Sequence, residues 1–243
     1  MKKLYLAVGL AGMMAVPSVF AGFDGTVTLT QGSYSYGNGG EFTAATSGLG
    51  TFQTFCIEYN EEFGPGNSYS YRINTGAVAG GSGVDATDPY TTLPMDNISI
   101  GTAWLYSQFR AGTLANYFTA NHQQNAGNLQ DAIWYLEGEL TSLAFNGADG
   151  TYYYNLAKQY AGTGNLTDAQ VQADSNGAYG VVALNLFDGA YSTTVQGANG
   201  KSYQVNQDQL AIVPEPTTMI AGILLLLPFG ASTLRVLRRN RAV

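Results

Sequence analysis

Two residues set the chemical question. Cys56 is the single cysteine of a 243-residue chain, and Gln130 lies far downstream in Asn128-Leu129-Gln130-Asp131-Ala132-Ile133-Trp134. A lone Cys makes no intramolecular disulfide, and with one His, His122, there is no Cys/His cluster for zinc or haem. What remains for Cys56 is nucleophilic chemistry or inert packing, since a free Cys is by default a small buried hydrophobe. A hydrolase or transglutaminase-type pair of Cys56 with His122 is one alternative, although Ala120 to Asn125 is a polar stretch that reads as a loop with an exposed His.

The elements around these residues follow from periodicity. Phe52 to Tyr59 alternates as a strand, with Phe55, Ile57 and Tyr59 on one face and Thr54, Cys56 and Glu58 on the other, which places Cys56 on the more polar face. Leu129, Ala132, Ile133, Leu136 and Leu140 recur at helical spacing. Asn128 is a good N-cap and Asp131 completes a box-like start, so Gln130 is expected in the first turn, at a helix N-terminus.

These motifs carry a resemblance. Phe-Cys-Ile-Glu at 55 to 58, followed by Leu-Gln-Asp-Ala-Ile-Trp at 129 to 134, resembles the thioester domains of bacterial surface adhesins. Membership implies that Cys56 supplies a thiol, that Gln130 supplies the acyl group of an internal thioester, and that Trp134 packs near the bond. Glu58 would be the acidic residue of the strand motif, and Leu129 stands where the family often has Thr.

The chemistry sets its own demands. A carboxamide is a poor acyl donor, so the fold must hold thiol and amide in attack geometry, where effective molarity supplies roughly 7 to 11 kcal/mol. A helix N-terminus would favour the thiolate and stabilise the oxyanion. Apolar neighbours, with Phe55 and Trp134 as candidates, must keep water from the product until an amine arrives. Such a protein is consumed in one use and is not an enzyme. It needs no cofactor and no metal.

The ends read as addresses. Met1-Lys2-Lys3, an apolar run from Leu4 to Val16 and Val19-Phe20-Ala21 form a secretory signal peptide over 1–21. At the other end, Val213-Pro214-Glu215-Pro216 precedes an uncharged stretch, Thr217 to Leu234, and an Arg cluster that includes Arg235, Arg238, Arg239 and Arg241. The stretch is long enough for a transmembrane helix whose Arg-rich end stays in the cytoplasm. This order resembles the PEP-CTERM sorting signal of Gram-negative bacteria that make extracellular polysaccharide. That resemblance implies handling by signal peptidase and exosortase, transient anchoring in the inner membrane, and delivery to the outer surface or the matrix. The partner would be an amine-bearing surface molecule or matrix polysaccharide.

Between the addresses, 22–213 reads as one α+β domain: strands at Gly25 to Gln31, Phe52 to Tyr59 and Tyr69 to Ile73, then helices, among them Tyr152 to Tyr160, then strands at Gly180 to Phe187 and Ser202 to Ile212. Gly76 to Pro89 reads as a surface loop. From Asp24 to Glu215 there are 17 acidic residues against four basic ones, Arg72, Arg110, Lys158 and Lys201, which excludes nucleic-acid binding. Glu137 and Glu139, two apart on a helix, do not make a glycosidase pair, and Asp85, Asp88 and Asp149 lack the spacing of a calcium loop. Tyr152 to Tyr154 is amphipathic packing before it is a sugar platform. The competing account is a non-covalent component of the exopolysaccharide or biofilm matrix with an inert Cys56.

Overall fold

The computed structural model describes residues 23–213 except 38 and 82; the expected signal peptide, the Pro214-Glu215-Pro216 motif, the expected transmembrane stretch and the Arg tail lie outside the described residues. Among the described residues the chain is mixed α and β, with four α-helices and a large antiparallel sheet. Its strands are β1 (Gly25–Tyr36), β2 (Gly39–Thr46), β3 (Gly50–Thr54), β4 (Ser68–Asn74), β5 (Gly76–Val78), β6 (Ala86–Thr87) and β7 (Pro94–Asn97). Helices α1 (Ile100–Arg110) and α2 (His122–Leu136) follow, then the hairpin β8 (Ala144–Phe145) and β9 (Ala148–Asp149), α3 (Thr151–Tyr160) and α4 (Asp168–Val171). The chain finishes with β10 (Val181–Phe187), β11 (Thr193–Gln196) and β12 (Ser202–Ile212). Among the described residues no helix is long and apolar enough to cross a membrane.

The strands before and after the helices join in one seven-stranded sheet of order β11-β12-β10-β4-β1-β2-β3. The two halves meet where β4 pairs antiparallel with β10, Ile73 opposite Leu184 and Tyr71 opposite Leu186. The expected strand 52–59 is divided. β3 ends at Thr54, the last partner of β2, and the next residues turn to β12: Leu210 N donates to Phe55 O and Ile57 N to Asp208 O, both at 3.0 Å, with Cys56 opposite Gln209. The sheet thereby closes on itself. Val27, Leu29, Ala44, Phe52, Tyr69, Leu184, Leu186 and Ala211 fill the space within.

A second core lies under the helices, where Phe55, Ile57, Ala183 and Leu210 meet Leu105, Phe109, Leu129, Ile133 and Leu136. The start of α2 corrects the sequence reading. The helix begins at His122, with Asn121 at the N-cap, so Asn128 is an interior residue. The first two turns carry no apolar stripe because they approach β1 through small residues: Ala126 is buried, and a Cβ at Gly127 would lie 2.5 Å from the Tyr36 ring. Asp131, expected as part of a helix start, instead accepts a hydrogen bond from Phe145 N at 3.0 Å. The segment read as a loop, 76–89, contributes β5 and β6 to a small sheet with β7.

Candidate functional site

Cys56 and Gln130 meet. The Cys56 N–H donates to Gln130 Oε1 at 3.1 Å, and Gln130 Nε2 donates to the Cys56 carbonyl at 2.8 Å. The reason is local. The β2–β3 ladder stops at the Phe42–Thr54 pair, so the outward main-chain groups of Cys56 need partners, and the planar amide of Gln130 supplies one donor and one acceptor as a neighbouring strand would. Gln130 lies in the third turn of α2, and both residues are fully buried. A Cβ at Gly39 would lie 2.7 Å from Gln130 Cγ and 2.9 Å from Trp134 Cη2, so β2 approaches this contact as closely as a glycine permits.

The thiol packs with Phe42 and Trp134, with Phe63 and Leu140 at the margin. Phe55, expected to shield the bond, belongs to the opposite face, where its ring meets Phe109 at 5.1 Å. Trp134 fills the expected place, and its Nε1 donates to the Glu58 carbonyl at 3.0 Å. The face shared by Thr54, Cys56 and Glu58 is polar in composition but excluded from water: all three are buried. Gln209 Nε2 lies 3.5 Å from Cys56 Sγ. Sequence reasoning missed Phe42, Gly39 and Gln209. Only β12 offered a sign, since Asn206, Gln207, Asp208 and Gln209 are four successive polar residues in a strand, and all four are buried.

The electrostatics differ from the expectation of a thiolate at a helix N-terminus. Burial pushes the Cys56 thiol up to about 12, only partly opposed by the hydrogen bond from Gln209. The dipole of α2 cannot reverse this, because its effect fades within the first turn. Burial also holds Glu58 well above the usual carboxylate range, with the neighbouring Asp208 adding to the effect. Its Oε2 accepts from Asp208 N at 2.8 Å, while Oε1 is buried without a partner. Asp208, raised in the same way, receives Val78 N at 2.7 Å, Leu186 N at 2.8 Å and the Asn185 amide.

Two openings flank the pair. A crevice of about 20 Å³ between Gly39, Tyr59 and Trp134 touches Gln130 itself. Beside it, a cleft of about 540 Å³ is lined by Phe42, Phe63, Trp134, Glu61, Glu62 and Gln207 among others. His122 is remote from this chemistry. It is partly buried, stacked on Tyr34 with ring centroids 3.6 Å apart, and its Nε2 lies 3.1 Å from Glu41 Oε1. No group of three or more His, Cys, Asp or Glu among the described residues is arranged to hold a metal ion. Comparison with protein-family models, curated proteins and solved structures returns no match.

Proposed function

We propose that this is an exported surface or matrix protein whose Cys56 and Gln130 close an internal thioester, used once to attach the protein covalently to an amine of its partner. The observation that carries this reading is the two-point clamp of the Gln130 amide on the Cys56 main chain. A clamp of that kind holds the Gln130 carboxamide against the main chain of the residue that bears the thiol and aims the Cys56 N–H at the oxygen that would become negative during attack. In closure, the S–H bond and the Gln130 C–N bond break, an S–C bond forms, and the thiol proton leaves with the amide nitrogen as ammonia. The Gln209 amide, whose Nε2 lies 3.5 Å from Cys56 Sγ, is the polar side chain at hand to hydrogen-bond the sulfur during that transfer.

Release follows the same path in reverse, with the partner's amine replacing ammonia and Cys56 regaining its proton. The cleft beside Trp134 suits this approach, since it sets the exposed Glu62 beside an apolar wall of Phe42, Phe63 and Trp134. Export by signal peptidase and sorting by exosortase rest on the two terminal segments of the sequence.

A non-covalent matrix component is the second reading, and one observation favours it. A thiol pushed up to about 12 by burial is a slow nucleophile, and the Gln130 clamp also satisfies the backbone of an inert Cys56. Thiol titration separates the two. The account predicts that the full-length protein, denatured without reductant, shows no alkylatable thiol until hydroxylamine is added, whereas Gln130→Ala shows one from the start. One free thiol in the untreated wild type overturns the covalent reading.

A further inference from the structure

On the other side of β2 lies a second, open cavity of about 370 Å³, and we propose that it is a reversible binding site for a carboxylate-bearing sugar, a hexuronic acid residue. The thioester reading plays no part in this argument. The cavity is lined by Arg110, Glu41, His122, Gln53, Tyr34 and Phe118, among others. Its volume falls within the range of small-molecule sites, and it combines ring faces with a few fixed polar groups.

Arg110 gives the ligand its charge. In a region where acids outnumber bases by 17 to four, its guanidinium is in no ion pair among the described residues. It is nevertheless held in place: it stacks 4.8 Å from the Phe52 ring centroid, and Nη1 donates to Tyr106 OH at 3.2 Å. A positioned guanidinium with unused donors facing a cavity matches a carboxylate in two-point geometry.

Glu41 gives the ligand its hydroxyls. Its side chain is buried, and Oε1 already receives Tyr117 OH at 3.0 Å and faces His122 Nε2 at 3.1 Å. A carboxylate so engaged can still accept from a hydroxyl, and the choice of a sugar over an amino acid rests on the exposed rings beside it. Tyr34, 40% exposed, and Phe118, 50% exposed, supply the apolar surface on which a pyranose face can lie.

Calorimetric titration of the full-length protein with glucuronate, glucose and glycine tests the proposal. Glucuronate is expected to bind, glucose to bind about tenfold more weakly or worse, and Arg110→Gln to erase the difference, as the loss of a charge-assisted pair requires. Tyr34→Ala is expected to weaken both sugars, with its Tm recorded alongside to separate ligand loss from the lost stack on His122. Equal binding of glucose and glucuronate, preference for glycine, insensitivity to Arg110→Gln, or no heat from any ligand would each overturn it.

Discussion

The Cys56–Gln130 contact and the Arg110 cavity share two elements, β2 and α2, yet are opposites. Phe42 faces the thiol and Glu41, its neighbour on β2, faces the cavity, while α2 contributes Gln130 and Trp134 to the first and His122 to the second. One is closed at the pair itself, where Cys56 and Gln130 are buried and the thiol is neutral, and the neighbouring cleft reaches only its walls, Phe42 and Trp134; the other holds about 370 Å³ of open space between a guanidinium and a carboxylate. The difference follows the chemistry each is proposed to serve. An activated acyl bond survives only where water is excluded, whereas a reversible ligand must enter and leave.

The comparison breaks most severely at Trp134, which is 5% exposed and walls the thiol. Trp134→Ala should cost about 3–5 kcal/mol and abolish the clamp, read as a lowered Tm together with a free thiol. A thermal melt at wild-type Tm would show that the wall is not structural.

Next in size is pH. Burial raises Glu137 to about 7, Glu61 to about 7 and Asp131 to about 6, and raises Glu58 and Asp208 in the same direction. A carboxyl whose folded pKa exceeds its unfolded one stabilises the fold while protonated, fully below the ordinary carboxylate range, and that stability is lost as pH rises through about 6 to 7. For the fully buried Glu137 alone this is on the order of 3 kcal/mol. The Tm is therefore expected to be higher at acid pH than at mildly alkaline pH, and Glu137→Gln should flatten the profile. A Tm that rises with pH over this range would contradict the assignment.

Gly39→Ala sharpens the contrast. A Cβ there drives into Gln130 and Trp134, at a cost of about 1–3 kcal/mol, and should leave Cys56 alkylatable while glucuronate still binds. The smallest effect is expected from Glu41→Gln. It weakens the hydrogen bonds from Tyr117 and His122 by about 1 kcal/mol, lowers sugar affinity, and leaves the thiol titre at zero because Phe42, not Glu41, faces Cys56.

What the sequence revealed depended on whether the signal was local. The second half of α2 announces itself through Leu129, Ala132, Ile133 and Leu136, all buried on one side. Its first half does not, because Ala126 and Gly127 pack by smallness and leave no apolar period to read. Alternation around Cys56 was visible, but the exchange of β2 for β12 after Thr54 is a contact between distant segments, so the sequence marked the face of Thr54, Cys56 and Glu58 as the more polar one without showing that all three are buried. Pairing Cys56 with Gln130 rested on motif resemblance, and the geometry that brings them together, a side-chain amide standing in for a strand, has no periodic signature. Arg110 was noted only as a charge. Its lack of an ion-pair partner among the described residues emerges only once the neighbours of α1 are in place.

Intact mass is the most direct measure of the central claim. The full-length protein, its Cys56→Ala variant and a methylamine-treated sample, all produced and processed alike, should differ in one respect. The account predicts that the wild type is lighter by one ammonia than its sequence, that Cys56→Ala has its full mass, and that methylamine replaces the deficit with an adduct at Gln130. A wild type at full sequence mass, unchanged by methylamine, would contradict it.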